Sequence, residues 1–249
     1  MIRGADPSER PEGLAVYIIT GASRGLGAEL AKQLLAAGAS VCHLSRSENE
    51  TLAALAARRE SHYRYIPADL SVPERAAAGL ESAFEFIAMQ GEPISSLTLI
   101  NNAATVEPLL PADACTPDLI VQSLHINLTA PIQLASAFLA KTEGMTCPRT
   151  IVNVTSGSGT YPAAGMSLYC AAKAGMDMFT RCVTLEQEKR SAPVRLIAFD
   201  PGMMDTAMQQ AARSSAIELS AYFQKQKEDG ALANPADVAA ALIERLQGK

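Results

Sequence analysis

Gly21, Gly25 and Gly27 stand between an apolar run, LAVYIIT (14–20), and a stretch whose leucines recur at helical spacing: Leu26, Leu30, Leu34 and Leu35. A chain built this way passes from a buried strand into a helix. The run is rich in β-branched and aromatic residues, the leucines share one helical face, and Gly38 closes the helix. Glycines at the junction let the backbone turn tightly and approach a pyrophosphate. The free N–H groups and positive dipole end of the helix then face the anion. The spacing is GxxxGxG, and Ser23, Arg24 and Leu26 belong to the same turn.

The junction opens an alternating chain. Further strands are predicted at 40–45, near 63–68, at 97–103, 150–156 and 194–200. Helices are predicted up to about Arg59, near 73–90, over 117–141 and 167–189, and near 235–247. Six strands alternating with helices imply an α/β fold, a single doubly wound, Rossmann-type parallel sheet covered by helices on both faces. Residues 1–13 read as a flexible leader and 14–249 as one dinucleotide-binding catalytic domain. Residues 203–234 break the rhythm; the stretch is polar and irregular and lies beyond a strand's C-terminal end, where a lid belongs.

Composition narrows the function. Of 249 residues, 48% are apolar and 19% charged, enough to bury a full core. The charge balance, 21 − 26 = −5, leaves no basic surplus for nucleic acid. No apolar run reaches the roughly 18 residues of a membrane helix, and the N-terminus shows no signal-peptide pattern, so a cytoplasmic protein is expected. The cysteines, at 42, 115, 147, 170 and 182, form no CxxC or paired spacing; they read as reduced packing thiols, with no metal site.

The end of the second strand bears on the choice of dinucleotide. An acidic residue there would hold a ribose 2′-OH; this chain has Ser45 and Arg46. A hydroxyl and a guanidinium, with Arg24 as a second cation, suit a 2′-phosphate, so NADP(H) is favoured. Arg46 could instead be a solvated loop residue. Asp69 is placed to accept from an adenine amino group or to cap the next turn.

Tyr169 and Lys173, four residues apart, share one helical face. A phenol titrates near 10, and an adjacent ammonium is expected to lower that value, making Tyr169 a proton donor to a carbonyl that receives a hydride. Ser156 ends the fifth strand thirteen residues earlier, where such folds place chemistry. It could hold the substrate oxygen or merely cap a turn. Asn127, a poor interior helix residue, could hold a water linked to Lys173 or be satisfied in the core. Gly21-Ala-Ser-Arg-Gly25 also fits the G-x-S-x-G elbow of hydrolases. However, no earlier strand supplies an oxyanion loop, and His43, His62 and His125 all read as ordinary strand or helix residues.

Together these pieces resemble the short-chain dehydrogenase/reductase family. The matching segments are TGASRGLG (20–27), Asp69-Leu70, NNAA (101–104), Asn127, Ser156, YCAAK (169–173) and Pro201-Gly202 with Thr206; NNAA ends in Ala where the family usually has Gly. The resemblance implies a catalytic tetrad of Asn127, Ser156, Tyr169 and Lys173. It implies cofactor contacts at Gly21, Ser23, Arg24, Gly25, Leu26, Gly27, Ser45, Arg46, Asp69, Leu70, Asn102, Ala103, Tyr169, Lys173, Pro201, Gly202, Met204 and Thr206. Asn101 would line the adenosine pocket and steady the sheet.

Within the family, YIITGASRGLG, LINNAATVEP, SLYCAAKAGMDMFTRCVTLEQE and FDPGMMDTAMQQAAR are similar to bacterial benzil reductases and to sepiapterin reductases. The implied activity is NADPH-dependent reduction of a ketone, one carbonyl of a 1,2-diketone, to an alcohol. Sepiapterin reductases anchor the pterin from a C-terminal strand segment. That segment and the usual seventh strand are expected to be missing here, which favours a general diketone and a homodimer through 117–141 and 167–189. Met166, Met203, Met204 and Met208 could line an adaptable apolar pocket or simply fill the core. The rival of another class is a non-catalytic NADPH sensor, against which Tyr169 and Lys173 together argue.

Overall fold

The computed structural model describes residues 13–59 and 61–248. Most of the expected leader, residues 1–12, lies outside the described residues. Strands β1 (Leu14–Thr20), β2 (Ser40–Ser45), β3 (Tyr63–Pro67), β4 (Ile94–Asn101), β5 (Arg149–Val154) and β6 (Arg195–Phe199) alternate with helices α1 (Gly25–Ala36), α2 (Glu50–Arg59), α3 (Pro73–Met89), α4 (Pro117–Leu124), α5 (Ala130–Lys141) and α6 (Ser167–Gln187). After β6 come α7 (Ala207–Arg213), α8 (Ser220–Glu228) and α9 (Pro235–Leu246).

Every strand pairing is parallel, and the order is β3-β2-β1-β4-β5-β6. This is the doubly wound Rossmann arrangement; the chain reverses direction across the sheet between β1 and β4, so their C-terminal ends border a crevice. The sheet has six strands among the described residues, and α9 follows β6 with no seventh strand between them. No described helix is long and apolar enough to cross a membrane.

The alternation of side chains in β1 builds both faces. Val16 and Ile18 join Leu97, Leu99, Ile151 and Phe138 under α3 and α5, while Tyr17 and Ile19 join Ile100, Val152, Leu30 and Leu242 under α1 and α9. The strands therefore read as continuous apolar runs, because neither face meets water.

The helix predicted over 117–141 is not uniform. Between α4 and α5 it widens into a π-helical turn at His125–Thr129. Pro131 has no N–H to give to the carbonyl of Asn127 four residues earlier, and its ring crowds that carbonyl; the widening relieves both. The segment 203–234, expected to be irregular, folds into α7 and α8. It is sewn back by a bridge between Met204 and Ala233, with Ala233 N donating to Met203 O at 2.8 Å.

Candidate active site

The glycine turn is held by the end of β4. Gly21 and Gly25 have φ of 71° and 60°, values that side chains resist. A Cβ on Gly21 would lie 2.9 Å from the Cα of Ala103, and one on Gly27 would lie 2.5 Å from Nδ2 of Asn102. That amide donates to the carbonyls of Thr20 (2.9 Å) and Gly21 (3.0 Å). The Thr20 hydroxyl accepts from the N–H groups of Asn102 and Ala103. Asn102 and Ala103 thus brace the turn. Asn49, which no motif marked, also braces it by donating to the Ser23 carbonyl.

Above this turn, α1 begins with no side-chain cap on Arg24 and no acidic residue in its first turn. By contrast, α4, α7 and α9 are capped by Thr116, Thr206 and Asn234. Uncapped N–H groups at the dipole's positive end, over a glycine cradle, fit a pyrophosphate. Arg24 and Arg46 are exposed. Ser45 donates to the Ser47 carbonyl at 2.6 Å. Asp69 accepts from the N–H and hydroxyl of Ser71, so it caps its turn, and these bonds hold its carboxyl below the usual carboxylate range. Leu70 is buried in the core.

Three residue placements bear on the sequence reading. Asn101 steadies the sheet as expected: it is buried and donates to Pro131 O and Asn153 Oδ1, tying β4 to β5 and α5. The Asn127 side chain bonds to a neighbouring loop. It clamps Thr105, accepting from its N–H at 2.9 Å and donating to its carbonyl at 2.8 Å. Of the four methionines, Met166 and Met208 lie in the cluster with Tyr169, whereas Met204 packs against the α1 and α9 core.

The chemistry gathers at the ends of β5 and β6. Ser156 follows β5, and its hydroxyl accepts from Ser158 N at 3.2 Å, so it does cap the short turn Gly157–Gly159. It also lies close enough to the phenol of Tyr169 to favour its ionised form. Tyr169 and Lys173 are both buried on α6. The Lys173 ammonium lies 5.6 Å from the Tyr169 ring centroid and donates to the Val154 carbonyl at 2.8 Å.

The expected lowering of the phenol by the ammonium is not what the protein's own groups produce. Burial dominates and pushes Tyr169 up to about 12, with Ser156 pulling the other way. Burial likewise brings Lys173 down to about 8, opposed by the carboxylates of Asp177 and Asp200. Charges are disfavoured in a dry site more strongly than this pair's mutual influence can offset. The phenol is therefore held protonated, which suits a proton donor.

Asp177 and Asp200 were missed because nothing in their spacing marks them. They flank the serine turn: a Cβ on Gly157 would sit 3.6 Å from Asp200 Oδ2, and one on Gly159 would sit 2.8 Å from Asp177 Oδ2. Asp200 also accepts from the N–H of Gly202, whose φ of 66° shapes the turn after Pro201. Thr206 caps α7, and its methyl lies 3.6 Å from the Cβ position of Gly25, so the Pro201–Thr206 segment meets the glycine turn. Val106, Met166 and Ile217 are buried with Tyr169 in one apolar cluster, against which Leu109, Met208 and Phe223 pack.

Comparison with known proteins agrees with this geometry. The profile of the short chain dehydrogenases matches residues 15–216. A benzil reductase ((S)-benzoin forming) of Bacillus cereus is 37% identical over 235 residues, covering 92% of this chain and 93% of that one. The sepiapterin reductase of Mus musculus is 34% identical over 250 residues, covering 94% and 92%. The crystal structure of the KRED1-Pglu enzyme superposes with a TM-score of 0.75 at 30% identity, covering 90% of this chain and 91% of that one. With a site, a sheet order and a full-length match in accord, the chain belongs to the short-chain dehydrogenase/reductase family of oxidoreductases.

Proposed function

We propose that this enzyme reduces one carbonyl of an apolar 1,2-diketone to the hydroxy ketone, using NADPH. The observation that carries the reading is the Ser156–Tyr169 pair beside an apolar cluster that includes Met166. The similarity to benzil reductases supports the same substrate class. A pterin is the alternative, favoured by the sepiapterin reductase relatives. The apolar residues packed around Tyr169, Val106, Met166 and Ile217, offer a polar heterocycle no hydrogen bond from their side chains.

When bound, the nicotinamide supplies a hydride to the carbonyl carbon. The chain's groups do the rest. Ser156 and Tyr169 hold the carbonyl oxygen, and the phenol gives its proton to the developing alkoxide. Lys173 keeps the region cationic as the phenolate forms. Asn127 and Lys173 relay a replacement proton through water. Arg24 and Arg46, exposed beside the glycine turn, provide the charge for a 2′-phosphate.

The enzyme acts as a homodimer through α4–α5 and α6. Val121, Met178 and Leu185 are 66%, 53% and 60% exposed on these helices, an apolar strip that a second copy would cover. Five free thiols fit a reducing, cytoplasmic setting.

The test is absorbance at 340 nm with a panel of diketones, each run with NADPH and NADH. Diketone turnover with NADPH preferred is expected. Tight NADPH binding without turnover of any carbonyl would point to a sensor.

A further inference from the structure

Lys173 is only 4% exposed, and its ammonium donates to the Val154 carbonyl, a neutral group. A buried cation held by a neutral acceptor keeps its charge only with negative charge nearby. Two carboxylates outside the tetrad stand in position to supply it.

Asp177 lies one helical turn past Lys173 on α6 and is half-buried. The turn that follows Ser156 rests on the helix beside it. A Cβ on Gly159 would lie 3.1 Å from the carbonyl carbon of Lys173, 3.1 Å from the nitrogen of Ala174 and 2.8 Å from Asp177 Oδ2. Gly159 therefore lets the turn lie directly on the backbone of α6, with the Asp177 carboxylate at its border. The same glycine donates its N–H to the Ser156 carbonyl at 2.8 Å, so serine, lysine and aspartate belong to one packed unit.

Asp200 approaches the turn from the end of β6, at Gly157. It is exposed, and one of its oxygens accepts from Gly202 N at 2.9 Å. Tyr169 faces Lys173 as a neutral phenol, and Arg181, one turn past Asp177, is exposed. Burial lowers Lys173, and Asp177, ahead of Asp200, opposes it. Burial and Asp200 raise the Asp177 carboxyl, while Thr155, Lys173 and Arg181 favour its charged form.

We infer that Asp177 is a positioning residue of this site: its carboxylate, packed beside the serine turn, keeps the Lys173 ammonium charged while Tyr169 gives up its proton, and so fixes the highest pH at which the enzyme works. The inference rests on the reductase reading above and deepens it. Asp177 outweighs Asp200 because water and salt screen an exposed charge more than a half-buried one.

The experiment compares the full-length protein with Asp177→Asn, Asp177→Glu and Asp200→Asn. For each, kcat/KM for benzil with NADPH is followed from about pH 6 to about pH 10. The alkaline limb should move down by about one pH unit in Asp177→Asn and by less in Asp200→Asn. Asp177→Glu, which keeps the charge, should restore most of the shift. At the acidic end, where Lys173 is charged in every variant, Asp177→Asn should stay within about twofold of the parent. Should Asp177→Asn fail to fold, Asp177→Ser is read the same way. A merely structural role would lower the rate at every pH and leave the limb in place, and that result overturns the inference, as does a larger shift in Asp200→Asn. If the parent protein reduces no carbonyl, the functional reading fails. Asp177 is then judged by NMR of protein labelled with 13C at lysine Cε, the Lys173 signal being the one lost in Lys173→Arg. A lower titration midpoint in Asp177→Asn supports the inference, and an unmoved one overturns it.

Discussion

Lys173 and Tyr169 lie side by side on α6, but the ammonium is anchored to the Val154 carbonyl, 5.6 Å from the centre of the phenol ring. Burial keeps the phenol neutral and brings the amine near neutrality. The pair is thus set as an acid beside a readily titrated cation. Tyr169→Phe should lower kcat for diketone reduction by about 10²- to 10⁴-fold. NADPH binding, followed by fluorescence, should be retained. Undiminished turnover would remove Tyr169 from the mechanism.

The pH profile should report Lys173. Its value is brought down to about 8 from 10.5, so it loses its proton in the range where the phenol, near 12, keeps its own. Reduction measured as kcat/KM should fall as pH rises through about 8. Lys173→Arg should move that limb upward, because a guanidinium stays charged there.

Stability should fall on mild acidification because of His43. Its side chain is fully buried on β2, hydrogen-bonded to Tyr63 at 3.1 Å, and burial brings its pKa to about 4. The unfolded chain takes up the proton near 6.5, before the folded one does. Stability is therefore complete above 6.5 and is lost as pH falls towards 4, by roughly 3 kcal/mol at most. Urea midpoints across that window should show it, and His43→Leu should flatten the slope.

Cofactor choice should depend on charge at the end of β2. Arg46→Glu should weaken NADPH by about tenfold while leaving NADH nearly unaffected, since only the former carries a 2′-phosphate. Steady-state KM values for both cofactors decide it; equal effects would mean Arg46 is a solvated loop residue.

The apolar strip of α4 and α6 should hold two copies together. Leu185→Glu places a charge at a position 60% exposed in the single chain. Sedimentation should shift towards monomer without loss of helical signal. A parent protein that sediments as a monomer would end the dimer reading.

Much of this was legible from local pattern. Six strands, their parallel pairing and the glycine junction follow from apolar runs separated by helical periodicity, and the described elements fall close to the predicted ranges. The motif residues Ser156, Tyr169 and Lys173 do meet at one end of the sheet. Other features were not legible because they depend on what lies opposite a residue. The side chains of Asn101 and Asn127 face the core and a neighbouring loop, and their amides find partners there that no motif names. The Pro131 spacing that widens the helix was visible, yet its consequence depends on the carbonyl it crowds.

The amino-acid sequence by itself determined the layered sheet, the glycine turn and the residue types of the candidate site, since these arise from periodicity and from residues adjacent along the chain. The tertiary structure alone decided the proton affinities of Tyr169 and Lys173 and the presence of Asp177 and Asp200 beside them. Each of those is set by burial and by contacts between distant segments, and neither is defined until the chain has packed.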